Sequence, residues 1–230
     1  MVKPVEGLSL YANYIEALQQ GPQAPVDPTL SNSGAFLAPR VSEQYEIGGK
    51  LDLGPVFASL ALYRIERPGE GVITEGGQPV FAYVGKAQHK GSELTLNGEV
   101  APGLRVITGL AVSDAEFDNG LEVIGVPELT FNTNAEWDLS FLPGVTLNGR
   151  VTHTGEQAAV SSGTLQLDSW TVVDLGARYV FAAGDNPVTL RLTLDNVFDE
   201  AYWASAFDVF NPALLQGAPR TVKASASISF

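Results

Sequence analysis

The chain has 230 residues, 13 Lys and Arg against 26 Asp and Glu, and a formal charge of −13. That balance argues against binding the phosphate backbone of nucleic acids. Cysteine is absent, which excludes disulfides, a thiolate nucleophile, cysteine-ligated zinc and iron–sulfur clusters. With 24 Gly and 14 Pro, the pair makes up about one residue in six, above the roughly 12% usual for globular chains, and glycine at that level disfavours helices.

A membrane-spanning helix needs roughly 20 apolar residues in a row. The longest stretch without a charged residue is 28–39, and it holds two prolines, two serines, an asparagine and a glycine. The N-terminus, Met-Val-Lys-Pro-Val-Glu, lacks the apolar run of a signal peptide, so the chain is expected to be cytoplasmic or a piece whose front end is missing.

The dominant pattern is alternation with period two, which marks half-buried strands. About ten are predicted, near 7–15, 40–53, 55–66, 86–101, 103–116, 127–141, 144–155, 168–182, 187–197 and 218–230. Near the front, Val41, Tyr45, Ile47, Leu51 and Leu53 oppose Ser42, Gln44, Glu46, Lys50 and Asp52. In 55–66 both parities look apolar, with Val56, Leu60 and Leu62 against Phe57, Tyr63 and Ile65. Further on, Val188, Leu190, Leu192 and Leu194 alternate with Thr189, Arg191, Thr193 and Asp195. At the end, Val222, Ala224, Ala226, Ile228 and Phe230 alternate with lysine, serine and threonine.

Tight turns at Gly54-Pro55, Ala101-Pro102-Gly103, Leu142-Pro143-Gly144 and 183–186 alternate with long connections near 16–39, 67–78, 117–126, 156–167 and 198–217. A soluble sandwich shares the alternation but has no reason to put every long loop at one end. An outer-membrane barrel does, with short periplasmic turns, long extracellular loops, apolar residues outside and polar ones inside. The expected fold is therefore all-β, an antiparallel transmembrane β-barrel wall. On this reading Tyr45, Trp137, Tyr179 and His153 face lipid or its interface. Arg150, Arg178, Arg191, Glu136, Asp138, Asp174 and Asp195 face the lumen, as a ladder of ion pairs across neighbouring strands.

Four motifs narrow the reading. Residues 42–50, Ser-Glu-Gln-Tyr-Glu-Ile-Gly-Gly-Lys, resemble the S-x-x-Y-E-x-G-x-K strand of TonB-dependent outer-membrane receptors, and Gly91-Ser92-Glu93-Leu94 is similar to their G-x-E-L strand. The run from Leu194 to Trp203, Leu-Asp-Asn-Val-Phe-Asp-Glu-Ala-Tyr-Trp, resembles the N-L-F-D-x-x-Y segment before their last extracellular loop. Gly217-Ala218-Pro219-Arg220-Thr221-Val222, leading to Phe230, resembles the closing strand of the siderophore-receptor branch.

The resemblance implies that residues 1–230 form the C-terminal portion of such a barrel, without the plug domain. It implies energy-dependent uptake of a ferric siderophore across the outer membrane, with no cofactor, since the siderophore itself carries the iron. The implied partners are the siderophore, outer-membrane lipid, the inner-membrane energy-transducing TonB protein reached through the missing plug, and the barrel-assembly machinery, whose signal would include Phe230. No nucleic acid, catalytic residue or protein-ligated metal is expected. In the last long loop, Tyr202, Trp203, Phe207 and Phe210 are candidate ligand-binding aromatics, although aromatics there also serve as interfacial belt or loop packing. The alternative function is a small self-closing barrel acting as porin or adhesin.

Overall fold

The computed structural model describes residues 1–208 and 212–229. Its strands are β1 (Val2–Val5), β2 (Leu8–Gln19), β3 (Arg40–Asp52), β4 (Val56–Glu75), β5 (Gln78–Ala101), β6 (Leu104–Phe117), β7 (Leu129–Asp138), β8 (Val145–Thr154), β9 (Gln157–Ala158), β10 (Gln166–Leu167), β11 (Trp170–Ala183), β12 (Asn186–Asp195), β13 (Trp203–Asp208), β14 (Pro212–Gln216) and β15 (Thr221–Ile228). Eleven form one antiparallel sheet in the order β1-β2-β3-β4-β5-β6-β7-β8-β11-β12-β15, while β9 with β10 and β13 with β14 make two small ribbons in the loops. No helix occurs among the described residues. The sheet is open, with β1 and β15 as its edges.

Two expectations about the strands need correction. The short strand β1 adds one to the predicted set. The predicted connection 67–78 is instead a continuation of β4 and β5, which run to 20 and 24 residues. About 9–11 residues suffice to cross a bilayer, so this hairpin projects well beyond it. Its turn is Gly76-Gly77, both at positive φ (57° and 80°), as a two-residue hairpin demands. A bulge between Pro68 and Glu70 absorbs the irregular Arg-Pro-Gly-Glu stretch that reads as loop in the sequence.

Register places the two parities on opposite faces. Leu10, Gly49, Leu60, Leu94, Leu110 and Phe131 are successive cross-strand partners on the outer face. Trp137, Leu147, Ala177, Leu192 and Ala224 form a second such row. Most of these side chains are exposed, Leu192 at 55%, and among the described residues no large side chain is fully buried. A soluble sandwich would bury its apolar rows between two sheets. Here they point outward, which suits a hydrocarbon solvent. Aromatic pairs on this face, Tyr14 with Tyr45 at 4.9 Å and Tyr179 with Phe181 at 5.2 Å, put Tyr45 and Tyr179 where the alternation predicted.

The faces make a direct prediction. Leu192→Arg should cost about 2–4 kcal/mol, and Thr193→Arg on the lumen face much less. Unfolding titrations of both variants in lipid check this, and equal costs would contradict the assigned faces.

The inner face is polar and cross-linked. Arg105 reaches Asp138 at 2.8 Å and Glu136 at 3.2 Å, Arg150 pairs with Asp174 at 2.5 Å, and Lys223 with Asp195 at 2.5 Å. The expected ladder is present, with one exception. Arg191 has no ion pair among the described residues and instead sits directly opposite Arg178. The ambiguous parity of β4 is resolved by glycine. Tyr63 turns inward because Gly91 opposite it leaves room, and a Cβ there would lie 2.5 Å from the Tyr63 hydroxyl. Gly48 serves Tyr11 in the same way, with a would-be Cβ 2.5 Å from the ring. Two signature glycines of the motifs are thereby explained as beds for inward-facing tyrosines.

Candidate functional site

The long connections gather at the end of the sheet where the β4–β5 hairpin projects, and each is anchored by its own side chains. In the 20–39 connection the Asn32 amide pairs with Phe81 as a strand would. Its Nδ2 donates to the Phe81 carbonyl at 2.7 Å and its Oδ1 accepts the Phe81 N–H at 2.9 Å. Ala24, Leu30 and Phe81 are buried together there with Leu37 against them. Asp27 caps a turn in the same loop by accepting the Thr29 N–H at 2.8 Å, and that bond holds its carboxyl below the usual range.

The 118–128 connection is fixed at its start. Asp118 donates its N–H to the Lys86 carbonyl at 2.9 Å, and its carboxylate accepts the Lys86 N–H at 3.1 Å. Gly85 makes this approach possible, because a Cβ on it would lie 2.3 Å from Asp118 Oδ1. The last loop folds over this one. Ala206 on β13 is buried with Ala159 and Leu167, and Ile124 packs against them. The side chain of Gln157, 2% exposed, donates to the Ala204 carbonyl at 3.3 Å and accepts from Ser205 Oγ at 3.3 Å. Three connections are thus sewn into one roof.

The stem of the last loop rests on Asn196, which is 3% exposed and has φ 51°. Its N–H donates to Asp174 at 2.7 Å. Its amide donates to the Glu200 and Ala218 carbonyls at 2.9 and 3.0 Å and accepts the Glu200 N–H at 2.8 Å. Asp199 accepts the Arg220 N–H at 3.0 Å, closing the stem from the other side. These contacts account for the asparagine and the aspartate of the Asn-x-Phe-Asp signature. Asn196→Ala removes three buried hydrogen bonds of about 1 kcal/mol each and puts alanine at a positive φ, so a loss of about 3–4 kcal/mol is expected. Asn196→Gly relieves only the backbone strain and should recover about 1 kcal/mol of it. Thermal unfolding of the two variants checks both values; an Asn196→Ala variant within 0.5 kcal/mol or so of the parent would refute the role.

The four aromatic candidates are separated by the structure. Tyr202 packs tilted against Trp170, ring centroids 4.3 Å apart, and covers Gly217, where a Cβ would lie 2.3 Å from its ring, so it belongs to the loop stem. Trp203 opens β13 opposite Gln216 and is 48% exposed. Phe207 lines a cleft of about 530 Å³ together with Arg67, Glu70, Phe117 and Asp118. Phe210 and the terminal Phe230 lie outside the described residues. Arg67 and Phe117 were not singled out in the sequence. The signal that could have found them is the glycine between Pro68 and Glu70. A Cβ on Gly69 would meet the Phe117 ring at 3.1 Å, so a side chain there would crowd the cleft wall.

Neither histidine builds a reactive centre. His153 Nδ1 bonds Thr171 Oγ1 at 2.8 Å on the outer face, as its parity predicted. Among the described residues no cluster of His, Asp and Glu could hold a metal ion. The site is therefore a shaped, loop-roofed cleft beside a polar lumen wall, a geometry for binding and passage.

An open antiparallel wall, apolar outside and charged inside, with anchored loops over one mouth defines an outer-membrane barrel receptor. The chain belongs to the TonB-dependent receptor-like β-barrel family, which it matches over residues 1–197. It is 35% identical over its whole length to the ferrichrome receptor FcuA of Yersinia enterocolitica, covering 31% of that protein. With the ferric-pyoverdine 358 receptor of Pseudomonas putida it shares 31% identity over 96% of its length, covering 27% of that receptor. Among solved structures it superposes on BauA, the ferric preacinetobactin receptor of Acinetobacter baumannii, with a TM-score of 0.84 and 32% identity, over 100% of this chain and 35% of BauA. The chain spans about a third of the length of the curated relatives it matches. The family places it in the outer membrane as a receptor barrel, and the open sheet does not favour the self-closing porin or adhesin.

Proposed function

We propose that residues 1–230 are the C-terminal barrel portion of a receptor that binds a ferric siderophore at the cell surface and imports it with energy from the inner membrane. The observation that carries this reading is the cleft at the loop end, roofed by Phe207 of the last loop and open beside the polar inner face. The receptors for ferrichrome, ferric pyoverdine and ferric preacinetobactin support it by their relatedness. Iron travels here as cargo, its donor atoms supplied by the siderophore, and the protein contributes shape, aromatic contacts and charge. Coupling to the TonB protein runs through a plug domain that is no part of these residues. Phe230 serves the barrel-assembly machinery as part of the terminal signal. Tyr202 and Trp203 set the loop that carries Phe207 and Phe210 to the ligand.

The test is uptake of radiolabelled ferric siderophore by cells whose only receptor is the complete polypeptide. Uptake that stops when the proton-motive force is collapsed supports the reading. Saturable entry unaffected by that collapse would favour a passive pore.

A further inference from the structure

Arg67 is set apart from most of the other cations. It lies on the inner face of β4, opposite Ala87 and in line with the inward-turned Tyr63. Among the described residues every other arginine except Arg191 has a carboxylate within 4.0 Å, whereas Arg67 has none. Burial without a counter-ion is costly, and Arg67 is half-buried.

Two carboxylates border the cleft, and among the described residues neither pairs with Arg67. Glu70 takes the Arg40 guanidinium at 2.5 Å. Asp118 accepts the Lys86 N–H at 3.1 Å and is turned against Gly85. Phe117 and Phe207 line the same cleft as Arg67 and supply apolar wall to it. Such walls exclude water and strengthen an ionic contact, and their ring faces suit planar groups. A guanidinium is a planar fork of donors matched to paired oxygens of a carboxylate or catecholate.

We propose that Arg67, which shares its cleft with Phe117 and Phe207, is an anion-accepting subsite, which makes this a receptor for ferric chelates of net negative charge. The proposal rests on the siderophore-uptake reading and adds the ligand's charge class to it.

The experiment uses the complete receptor, with a trianionic ferric tris-catecholate and a neutral ferric trihydroxamate as probes, binding being read by quenching of intrinsic fluorescence. The parent should bind the anionic chelate more tightly, and only that affinity should fall as salt is raised. Arg67→Gln should weaken the anionic chelate at least about tenfold and the neutral one far less, while Arg67→Lys recovers part of the loss. Heat-modifiability on gels confirms that each variant has folded, and the salt dependence of the parent needs no variant at all. A parent that binds both chelates alike without salt sensitivity, or an Arg67→Gln variant that weakens both equally, would overturn the subsite while leaving uptake intact. Failure of the parent to bind either chelate would overturn the uptake reading and the subsite with it.

Discussion

Deleting residues 204–216 from the complete receptor should abolish chelate binding while the barrel still assembles. The cut removes most of the β13–β14 ribbon but spares its stem. The ends that remain lie close together, since the Gly217 N–H donates to the Tyr202 carbonyl at 2.9 Å. Asn196 and the Tyr202–Trp170 contact remain in place. The ligand side loses its roof. Phe207 leaves the cleft, Ala206 leaves the cluster with Ala159 and Leu167, and the buried amide of Gln157 loses both its partners in the last loop. Affinity should drop at least about a hundredfold, roughly 2.7 kcal/mol, with the heat-modifiable barrel band unchanged on gels. Unchanged binding would remove this loop from the site.

Residues 1–230 expressed alone behind a signal peptide should give no energy-dependent uptake in a receptor-deficient strain. The sheet ends at β1 and β15, and neither edge is paired to another strand of the main sheet on its outer side. Each unpaired N–H or C=O facing hydrocarbon costs several kcal/mol. The edges must therefore pair with each other, with a second copy, or in aggregates. Closure of these strands on themselves would give a lumen crowded by its own side chains, among them Arg105, Arg150, Arg178 and Tyr63. Labelled iron-chelate uptake by cells bearing only this chain decides the matter. Accumulation sensitive to collapse of the proton-motive force would overturn the view that these strands work as one wall of a larger barrel.

Much of the wall is legible in the residues themselves. Alternation assigns Leu190, Leu192, Leu194, Val222, Ala224 and Ile228 to one face, and the β12–β15 register keeps them there. Where both parities are apolar, as in β4, the pattern is silent. Only the partner strand shows that Tyr63 faces inward, because Gly91 lies beneath it. The projecting hairpin was hidden for a related reason. Arg-Pro-Gly-Glu resembles a loop, while the decisive signal was the pair Gly76-Gly77, a turn that makes sense only once its flanks are known to pair.

The candidate site was less legible than the fold, since a binding cleft joins residues far apart in the chain. Composition singled out the aromatics of the last loop, but not that Tyr202 and Trp203 serve its stem while Phe207 lines a cleft with Phe117 and Arg67. By itself the sequence determined the strand period, the outward apolar parity, the charged inner face and the receptor signatures, because each is a local or repeating property. The tertiary structure alone decided which arginines lack a counter-ion among the described residues and which loop covers which. Those depend on register and on loop folding, where a shift of one residue would turn Arg67 from the inner face to the outer one.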